Sequence, residues 1–347
     1  MYVESLWLKN FRNADESEIS FDKGINVICG SNAAGKSFRN CKDRELISFG
    51  CDKGLISIGF TSGNVKKKMS ATLSKGGRRV IKLGESAPLR LAEYIGQFRA
   101  VIFTPDHLSL VKGSPENRRR FLDLAICQSF PRYAPTLSEY NRIIAQKNAL
   151  LKRGNVQNEL LEVYNERLAT LAAIITVNRK KYIARLEEEA KRFLLDMSDG
   201  KEELSLNYSS QGNGETQEEI RENYKKLFAE KMETEKEKFL SVYGTHKDDF
   251  LVYINKKSAK MYGSQGQQRS IVLALKLAEG ELSAKLTGEY PVFLLDDILS
   301  ELDKDRKNYI LSRITDRQVI ITGCESEVFE KGSGKRIFVK SGEVTEM

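Results

Sequence analysis

Residues 25–37 read Ile25-Asn-Val-Ile-Cys-Gly-Ser-Asn-Ala-Ala-Gly-Lys-Ser37, an apolar run followed by the pattern G-x-x-x-x-G-K-S. The apolar run predicts a strand, and the glycines let the backbone curl so that successive N–H groups point at phosphate oxygens. In such a loop the lysine reaches the β- and γ-phosphates, and the last hydroxyl is a Mg²⁺ ligand. The candidate nucleotide-binding residues are Gly30, Ser31, Asn32, Ala33, Ala34, Gly35, Lys36 and Ser37.

A second apolar run, Val292-Phe-Leu-Leu-Asp-Asp297, ends in two carboxylates. Taken alone, a strand that ends in acids is more often a solvated strand end. Together with a phosphate loop, the pair predicts that Asp296 serves Mg²⁺ and that Asp297 orients or deprotonates the attacking water. The candidate catalytic residues are Asp296 and Asp297, and the candidate metal ligands are Ser37 and Asp296.

Between these segments, Ser264-Gln-Gly-Gln-Gln-Arg269 begins a predicted helix. A serine and bare amide groups at a helix N-terminus favour an anion. The alternative is a plain N-cap serine, which needs no ligand. The segment by itself favours the N-cap interpretation.

The composition is that of a folded protein with a basic surplus. The chain has 347 residues, 40% hydrophobic and 30% charged, and a net charge of +8. Its length exceeds the ~150 residues typical of one domain, and no apolar run approaches the ~18 residues that span a bilayer. We expect a soluble, cytoplasmic protein without a membrane partner. The basic surplus favours a polyanionic partner but does not require one.

Five cysteines and two histidines limit the redox and metal chemistry. The cysteines, at positions 29, 41, 51, 127 and 324, form no C-x-x-C pair, and their odd number argues against a disulfide framework. His107 and His246 are the only histidines, so a zinc site is not expected. His246 is either a structural histidine beside Asp248 and Asp249 or a site residue.

The hydrophobic period of the chain changes at residue 114. Before it, alternating runs predict short strands as far as residue 103. Ser114-Pro115-Glu116 has the residues of a helix start, and helix is predicted to about residue 197 with a break near 153–155. Further helices are predicted over 216–238, 266–286 and 305–314, and strands over 204–208, 250–254, 292–295, 319–322 and 336–340.

The motifs occur in a distinctive order, with the phosphate loop early and the S-x-G-Q helix and acidic strand late. This order resembles the ABC-type ATPases of the SMC and Rad50 group, in which a helical insertion splits the ATPase head. Ser300-Glu-Leu-Asp303 is similar to the D-loop of that group. Four segments narrow the resemblance to the RecF family: Leu-Lys-Asn-Phe-Arg-Asn at 8–13, Phe-Thr-Pro-Asp at 103–106, residues 112–123, and Gly-Thr-His-Lys-Asp-Asp at 244–249.

The resemblance implies an α/β fold, in which an ABC-type ATPase head with a mixed sheet and P-loop carries a helical lobe inserted as a short arm. Residues 1–112 and 263–347 would form the head, and residues 113–262 the arm. The implied cofactors are ATP and Mg²⁺. The implied activity is a weak ATPase coupled to DNA binding and dimerisation, in which an ATP-driven head dimer clamps DNA at gaps or junctions and helps to load recombinase.

The resemblance also implies site residues and partners. Arg12 would lie beside the phosphates, and Asp303 near the subunit junction. The signature residues would contact the γ-phosphate of the ATP on the opposite subunit; they are Ser264, Gln265, Gly266 and Gln267. The implied partners are DNA, double-stranded and gapped with little sequence preference, a second copy of the chain, and the proteins RecR and RecO.

Three features depart from the ABC pattern. Asp297 stands where glutamate is usual, and its side chain is one methylene shorter, which predicts slow hydrolysis. Thr322-Gly323 stands at about the place of the switch histidine, and no glutamine clearly marks a Q-loop.

The segment after Lys36 is unusual for a phosphate loop. Such a loop normally runs into a helix of about a dozen residues with an apolar face, but residues 37–45 offer only Phe38 and Cys41 for that face. In RecF-like chains a Ser-Phe-Arg segment similar to residues 37–39 follows the helix. We therefore expect a block of roughly fifteen residues to be absent between residues 36 and 37. Ser37 is then not the metal ligand; if Ser37 instead begins a helix, it is.

Two other functions stay open. A transporter-type ABC ATPase subunit has similar motifs but is normally shorter, with a smaller gap before the signature helix. A DNA scaffold that holds nucleotide without turnover is opposed only mildly by the two carboxylates. The basic clusters that would contact DNA, each more often a solvated face, are Lys66-Lys67-Lys68, Lys75 with Arg78 and Arg79, Arg118 to Arg120, Lys180-Lys181 and Lys256-Lys257.

Overall fold

The computed structural model describes residues 1–30, 42–154, 156–323, 334–340 and 342–346. The chain forms two compact units. The first, called here the sheet unit, comprises Met1–His107 and Glu279–Met347, and the second, the helical unit, comprises Leu108–Ala278.

The strands are β1 (Tyr2–Phe11), β2 (Ala14–Ser20), β3 (Ile25–Gly30), β4 (Lys53–Ser62), β5 (Val65–Ser74), β6 (Val80–Leu83), β7 (Ala100–Phe103), β8 (Leu204–Ser209), β9 (Asp249–Ile254), β10 (Lys257–Ser258), β11 (Val292–Asp296), β12 (Val319–Gly323), β13 (Lys335–Lys340) and β14 (Glu343–Glu346). The helices are α1 (Leu91–Tyr94), α2 (Ser109–Lys112), α3 (Pro115–Ser129), α4 (Tyr133–Arg153), α5 (Asn158–Met197), α6 (Gln217–Glu230), α7 (Met232–Glu237), α8 (Ala259–Tyr262), α9 (Gln265–Thr287) and α10 (Lys304–Arg313). Short 3-10 turns occur at Asp43–Leu46, Pro105–Leu108, Thr245–Lys247 and Leu299–Glu301.

The sheet unit contains a six-stranded mixed sheet of order β14-β13-β3-β12-β11-β7. Its neighbouring strands are parallel except for β13 and β14. The central strands are apolar on both faces, and Val292, Phe293, Val319 and Ile321 are fully buried. Parallel strands that are covered on both faces have this continuous apolar sequence.

The second sheet of this unit is antiparallel, with the order β2-β1-β4-β5-β6. Its side chains alternate between a covered and an open face. Phe60 in β4 and Leu73 in β5 are buried, whereas Lys66 and Lys68 in β5 are exposed. This period of two is expected of a sheet that packs on the core with one face.

The helical unit is built on α5, a helix of 40 residues, against which α4 and α6 pack. Leu161, Leu168, Leu171 and Ile175 recur at helical spacings on α5, and all four are buried. These residues form the apolar face that the other helices cover. A three-stranded antiparallel sheet, β10-β9-β8, completes the unit.

A buried ion pair joins three elements of the helical unit. Lys147 in α4 and Glu235 in α7 are both almost fully buried, with Nζ and Oε2 2.5 Å apart. Lys147 also donates to Asn165 Oδ1 in α5 at 2.6 Å. The other oxygen of Glu235 accepts from Ser241 Oγ at 2.8 Å and from the Val242 N–H at 2.9 Å. Because both charges are fully partnered, the burial of the pair is compatible with a stable fold.

The predicted elements are confirmed, with differences at their ends and two divisions. Besides the predicted break near 153–155, the helical stretch that begins at residue 115 is interrupted between α3, which ends at Ser129, and α4, which begins at Tyr133. Ser114 is the N-cap of α3, although its side chain makes no capping hydrogen bond. The helix predicted over 216–238 is two helices, α6 and α7, which meet at Lys231. Residues 108–112 and 263–278 belong to the helical unit, whereas the sequence analysis placed both stretches in the expected head. The functional names head and arm stay predictions. Within the described ranges, no helix has both the length and the hydropathy needed to cross a bilayer.

Candidate nucleotide site

The carboxyl ends of β3, β12 and β11 lie along one edge of the six-stranded sheet. Thr322 in β12 lies beside Ile28 in β3 on one side and beside Asp296 in β11 on the other. Gly30, the first residue of the expected phosphate loop, ends β3. Two strand spacings, about 10 Å, therefore separate the strand that leads into the loop from the strand that ends in the acid pair.

The remaining phosphate-loop residues lie outside the described part of the chain, and so does the expected break between residues 36 and 37. These residues are Ser31, Asn32, Ala33, Ala34, Gly35, Lys36 and Ser37. The next described element, the turn Asp43–Leu46, begins soon after β3 ends. The loop pattern in the sequence ends at Ser37, so only residues 38–42 separate it from that turn. The helix that usually follows a phosphate loop needs about 12 residues.

Asp296 is held by a residue that the sequence analysis did not assign to the site. The Thr322 hydroxyl donates to Asp296 Oδ1 at 2.5 Å. The two residues are direct partners in the parallel ladder between β11 and β12, so the backbone register itself brings the hydroxyl to the carboxylate. A hydrogen bond of this kind fixes the orientation of a carboxylate that serves a metal.

Asp297 has an unusual backbone conformation, with a φ of 53°. The left-handed region is unfavourable for most residues, although aspartate and asparagine enter it more readily than others. The Asp297 N–H donates to Thr322 O at 3.1 Å, and the Ser300 hydroxyl donates to Asp297 O at 2.8 Å. These contacts fix the backbone of Asp297, while the residue itself remains exposed.

The carboxylate of Asp296 is a suitable ligand for Mg²⁺, which prefers carboxylate oxygens and usually keeps several waters. Asp296 Oδ1 accepts from Thr322, and within the described part of the chain Asp296 Oδ2 accepts no hydrogen bond. The described residues contain no group of three or more His, Cys, Asp and Glu that would form a metal cluster. Mg²⁺ at this edge would therefore depend on phosphate oxygens as well as on Asp296.

The signature segment begins α9 in the helical unit with a reciprocal cap. The Gln267 N–H donates to Ser264 Oγ at 3.2 Å, and the Ser264 N–H donates to Gln267 Oε1 at 2.8 Å. Gln267 Nε2 donates in turn to Glu202 Oε1 at 3.0 Å. The N-cap interpretation is therefore correct for the local fold. Since the Ser264 oxygen acts here only as an acceptor and the residue is exposed, its hydroxyl proton can still serve an anion.

Gln265 and Gly266 occupy the first turn of the same helix. Gln265 is exposed and Gly266 half-buried. A backbone N–H in the first turn has no partner within the helix, which leaves such groups available to a ligand.

Arg12 and Asp303 have clear local roles. Arg12 follows β1 with a φ of 54°, and its N–H donates to Leu46 O at 2.9 Å. Asp303 is the N-cap of α10 and accepts from the Arg306 N–H at 2.9 Å. This hydrogen bond is the main reason that the pKa of Asp303 is lowered. Contact of Arg12 with phosphate, and of Asp303 with a second subunit, stay predictions.

Two residues of the segment 244–249, Thr245 and Asp248, belong to a group called here the Arg179 cluster. In this cluster Arg179, Thr245 and Asp248 are buried, and Asp123 and Tyr208 are half-buried. Arg179 donates to both carboxylate oxygens of Asp123 at 2.9 Å and to Thr245 O at 2.7 Å. Asp248 accepts from Tyr208 Oη at 2.6 Å and from Thr245 Oγ1 at 2.8 Å. Burial raises the pKa of Asp248, and its hydrogen bonds and Arg179 oppose that shift. Every charge in the cluster has a partner, as buried charges require.

His246 is a structural histidine, which decides between the two interpretations that the sequence left open. Its Nε2 lies 3.2 Å from Ser241 O, which only accepts, so Nε2 carries the proton. Nδ1 therefore accepts from Tyr140 Oη at 2.9 Å. Burial lowers the pKa of His246 to about 4, so the ring is neutral at physiological pH.

Four of the five basic clusters are partly engaged within the protein, and in one of them Arg79 pairs with Asp43. Arg118 is buried and donates to both carboxylate oxygens of Asp249 at 2.7 and 2.8 Å. Lys67 donates to Gln97 Oε1 at 3.1 Å, and Lys180 donates to a backbone carbonyl at 2.8 Å. These four side chains serve the fold, so consecutive basic residues in the sequence do not form continuous basic surfaces.

Comparison with known proteins places this geometry in a class. A family model described as an AAA domain matches residues 5–38. A solved SMC head, bound to the C-winged helix domain of ScpA, matches with a TM-score of 0.54 and 15% identity over 100% of this chain and 98% of that chain. At this identity the match concerns the fold alone. The fold is that of an ABC-type ATPase head.

Relatives at higher identity define the family. The DNA replication and repair protein RecF of Clostridium perfringens (strain 13 / Type A) is 36% identical over 93% of this chain and 92% of its own length. RecF of Desulfitobacterium hafniense (strain Y51) is 35% identical over 99% of both chains. A solved structure of the recombination mediator protein RecF with ATP, in the RecFOR pathway, matches with a TM-score of 0.92 and 31% identity over 100% of this chain and 97% of that chain. The chain belongs to the RecF family.

The alignments also bear on the length of the chain. RecF of Clostridium kluyveri aligns over 364 positions that cover 99% of this chain and all of the relative. Since this chain has 347 residues, that relative contains positions with no counterpart here.

Proposed function

We propose that this protein is an ATP-dependent DNA-binding protein of replication and repair, which acts as a recombination mediator. The observation that carries the proposal is the 35–36% identity to proteins of that name over nearly the full chain, together with the likeness to RecF with ATP. The RecFOR pathway named for that structure supports RecO and RecR as partners.

In the proposed site, residues 30–37 hold the phosphates of ATP and Asp296 serves Mg²⁺. Mg²⁺ neutralises charge on the phosphate oxygens when it is bound. Thr322 keeps the Asp296 carboxylate in one orientation, and Ser300 holds the backbone of Asp297. Asp297 accepts a proton from the attacking water, and its short side chain makes this step slow.

The active form is proposed to be a dimer in which the signature residues of each chain contact the ATP of the other. The exposure of Ser264 and Gln265 at the start of a long helix supports this arrangement. Hydrolysis then removes the γ-phosphate that both chains contact, and the dimer opens because ATP binds the closed state better than ADP does.

Sizing the protein with ATP and Mg²⁺, with ADP, and with neither tests the dimer. Ser264→Arg fills the anion site with a long side chain and should abolish ATP-dependent dimerisation, while Ser86→Arg, at an exposed turn, should leave it intact. Dimerisation of the Ser264→Arg variant with ATP would show that the signature assignment is wrong.

ATP turnover with and without duplex DNA separates the alternatives. We expect slow turnover that responds to DNA. Turnover that ignores DNA supports a transporter-type subunit, and DNA binding without any turnover supports a nucleotide-holding scaffold.

Only five residues, 38–42, separate the phosphate-loop pattern from the turn Asp43–Leu46. This short separation supports the further proposal that a block of residues is absent between residues 36 and 37. If the block is absent, Ser37→Ala should leave the Mg²⁺ dependence of ATP binding unchanged, whereas Lys36→Met should still remove binding. If Ser37 is the metal ligand, Ser37→Ala should weaken ATP binding in Mg²⁺ but not in EDTA. Titration with a fluorescent ATP analogue distinguishes the two results.

A further inference from the structure

A fully exposed phenylalanine stands at the tip of a tight turn in the sheet unit. Phe49 lies in the turn from Ser48 to Cys51, closed by a hydrogen bond from the Cys51 N–H to Ser48 O at 3.1 Å, and its exposed fraction is 105%. Gly50 has a φ of 85°, which a type II turn requires at its third residue. The turn therefore explains Gly50 but places no demand on Phe49. An exposed phenylalanine gains none of the free energy that burial of its ring would provide.

Three chain segments meet around this turn. The N–H of Lys75, just after β5, donates to Asp52 O at 3.1 Å. Arg79, just before β6, donates from Nε to Asp43 Oδ2 at 3.1 Å. The hairpin between β5 and β6 and the 3-10 turn that begins at Asp43 therefore lie at the same end of the antiparallel sheet as the Phe49 turn.

The surface at this end is called here the basic tip, and it consists of Lys42, Arg44, Phe49, Lys53, Lys75 and Arg78. All six residues are exposed. Within the described part of the chain, four of the five cations make no ion pair, and Lys75 makes only an exposed contact with Asp52 at 3.8 Å. Arg79 is not included because its charge is matched by Asp43.

The basic tip thus combines a fully exposed aromatic ring with five exposed cations, four of which make no ion pair among the described residues. Cations of this kind attract phosphates without regard to sequence. An exposed aromatic ring stacks on a base only if the face of that base is free, and in a continuous duplex both faces are covered by neighbouring base pairs. Charge and ring together match a strand with unpaired bases.

We propose that the basic tip binds single-stranded DNA, with Phe49 stacked on an unpaired base and the five cations on the neighbouring phosphates. The proposal rests on the proposed DNA-binding function and assigns to it a particular surface, with Phe49 as the residue that contacts a base. The duplex is held at the basic tip by phosphate contacts alone.

The test compares Phe49→Ala with Val65→Ala, which removes an exposed apolar side chain on another hairpin of the same sheet, where Val65 is 57% exposed. Binding to a labelled single-stranded oligonucleotide and to its duplex is measured by fluorescence anisotropy at several salt concentrations. Phe49→Ala should weaken single-strand binding by about fivefold or more, the equivalent of one stacked base, and leave duplex binding and both salt slopes unchanged. Val65→Ala should change neither.

Arg78→Ala provides the complementary variant. It should weaken both DNAs and reduce the magnitude of the single-strand salt slope by about 0.7 and that of the duplex by about 0.9, since one phosphate contact is lost. Single-strand binding by Phe49→Ala equal to that of the parent protein, or an equal loss on both DNAs, overturns the stacking proposal. Failure of the parent protein to bind any DNA overturns the proposed function instead.

Discussion

Charged side chains are used in opposite ways in the interior of the helical unit and at the carboxyl edge of the parallel sheet. In the Arg179 cluster, Arg179 and Asp248 are 2% and 1% exposed, and each makes several hydrogen bonds or ion pairs. At the sheet edge, Asp296 has one described hydroxyl partner, and Asp297 is exposed. Fully partnered charge holds elements together, whereas charge held from one side remains available to a ligand.

The largest expected effect comes from removing the charge at the centre of the buried cluster. Arg179→Met leaves Asp123 and Asp248 without their guanidinium partner, and loss of one member of a buried pair costs roughly 3–5 kcal/mol. Urea denaturation followed by circular dichroism should show that loss in the free energy of unfolding. Lys181→Met, at an exposed position on the same helix, should change it by less than about 0.5 kcal/mol. Equal stability of the two variants would contradict a structural role for the cluster.

Because Asp297 at the sheet edge is exposed rather than fully partnered, we expect its substitution to reduce activity without reducing stability. Asp297→Asn removes the proton acceptor, and turnover should fall by about 10²- to 10⁴-fold, while ATP binding and dimerisation persist. Asparagine also tolerates the left-handed backbone at this position, so the fold is unaffected. Asp305→Asn, an exposed acid in the first turn of α10, is the control for turnover. Undiminished hydrolysis in Asp297→Asn would move the catalytic role elsewhere.

A third prediction uses pH to test His246. Its pKa is lowered from 6.5 to about 4, so the unfolded chain binds the proton more readily than the folded one. Stability is therefore fully present above pH 6.5 and decreases as the pH falls towards 4, by about 3 kcal/mol in total. His246→Asn should flatten this decrease in urea denaturation series between those pH values. His107→Asn is the control, and a flattening of the same size in it would remove His246 as the cause.

The smallest effect concerns Thr322, which touches the site only through Asp296. Thr322→Val keeps the shape but removes the hydroxyl, and loss of such a supporting hydrogen bond typically weakens metal binding by about 10- to 100-fold. The Mg²⁺ concentration for half-maximal ATP-dependent dimerisation should rise accordingly, and Thr322→Ser should restore it. Thr61→Val, which removes a hydroxyl bound to Glu4 at 2.8 Å, should leave the Mg²⁺ requirement unchanged. A rise that Thr322→Ser fails to reverse argues against the positioning role.

Local patterns were sufficient to predict the type of most elements. β11 and β12 each begin with at least three consecutive apolar residues, and α5 carries its apolar residues at helical spacing, so the type of these elements follows from nearby residues. The order of the motifs and four further segments indicated the resemblance to the RecF family, and that membership is confirmed by the relatives.

The contacts that support the candidate site could not be predicted from the sequence, because they join residues that are far apart along the chain. Thr322 reads as an ordinary strand residue until the register between β11 and β12 places it beside Asp296. Arg118 reads as part of a basic cluster until the fold pairs it with Asp249, on a strand far along the chain. Phenylalanine is usually a core residue, and only the structure shows that Phe49 is exposed at the tip of a turn.

The strand order of the six-stranded sheet determines which part of the chain can fold first during synthesis on the ribosome. β3 is made among the first thirty residues, yet its two partners in the sheet are β12, at Val319–Gly323, and β13, at Lys335–Lys340. The helical unit is one continuous stretch, Leu108–Ala278, and can fold while the ribosome is still translating. The strand that leads into the phosphate loop, β3, can pair only after β12 and β13 have been synthesised near the end of the chain. A nascent chain that stalls shortly before residue 319, after the helical unit is complete at Ala278, therefore carries a finished helical unit and a β3 that still lacks β12 and β13.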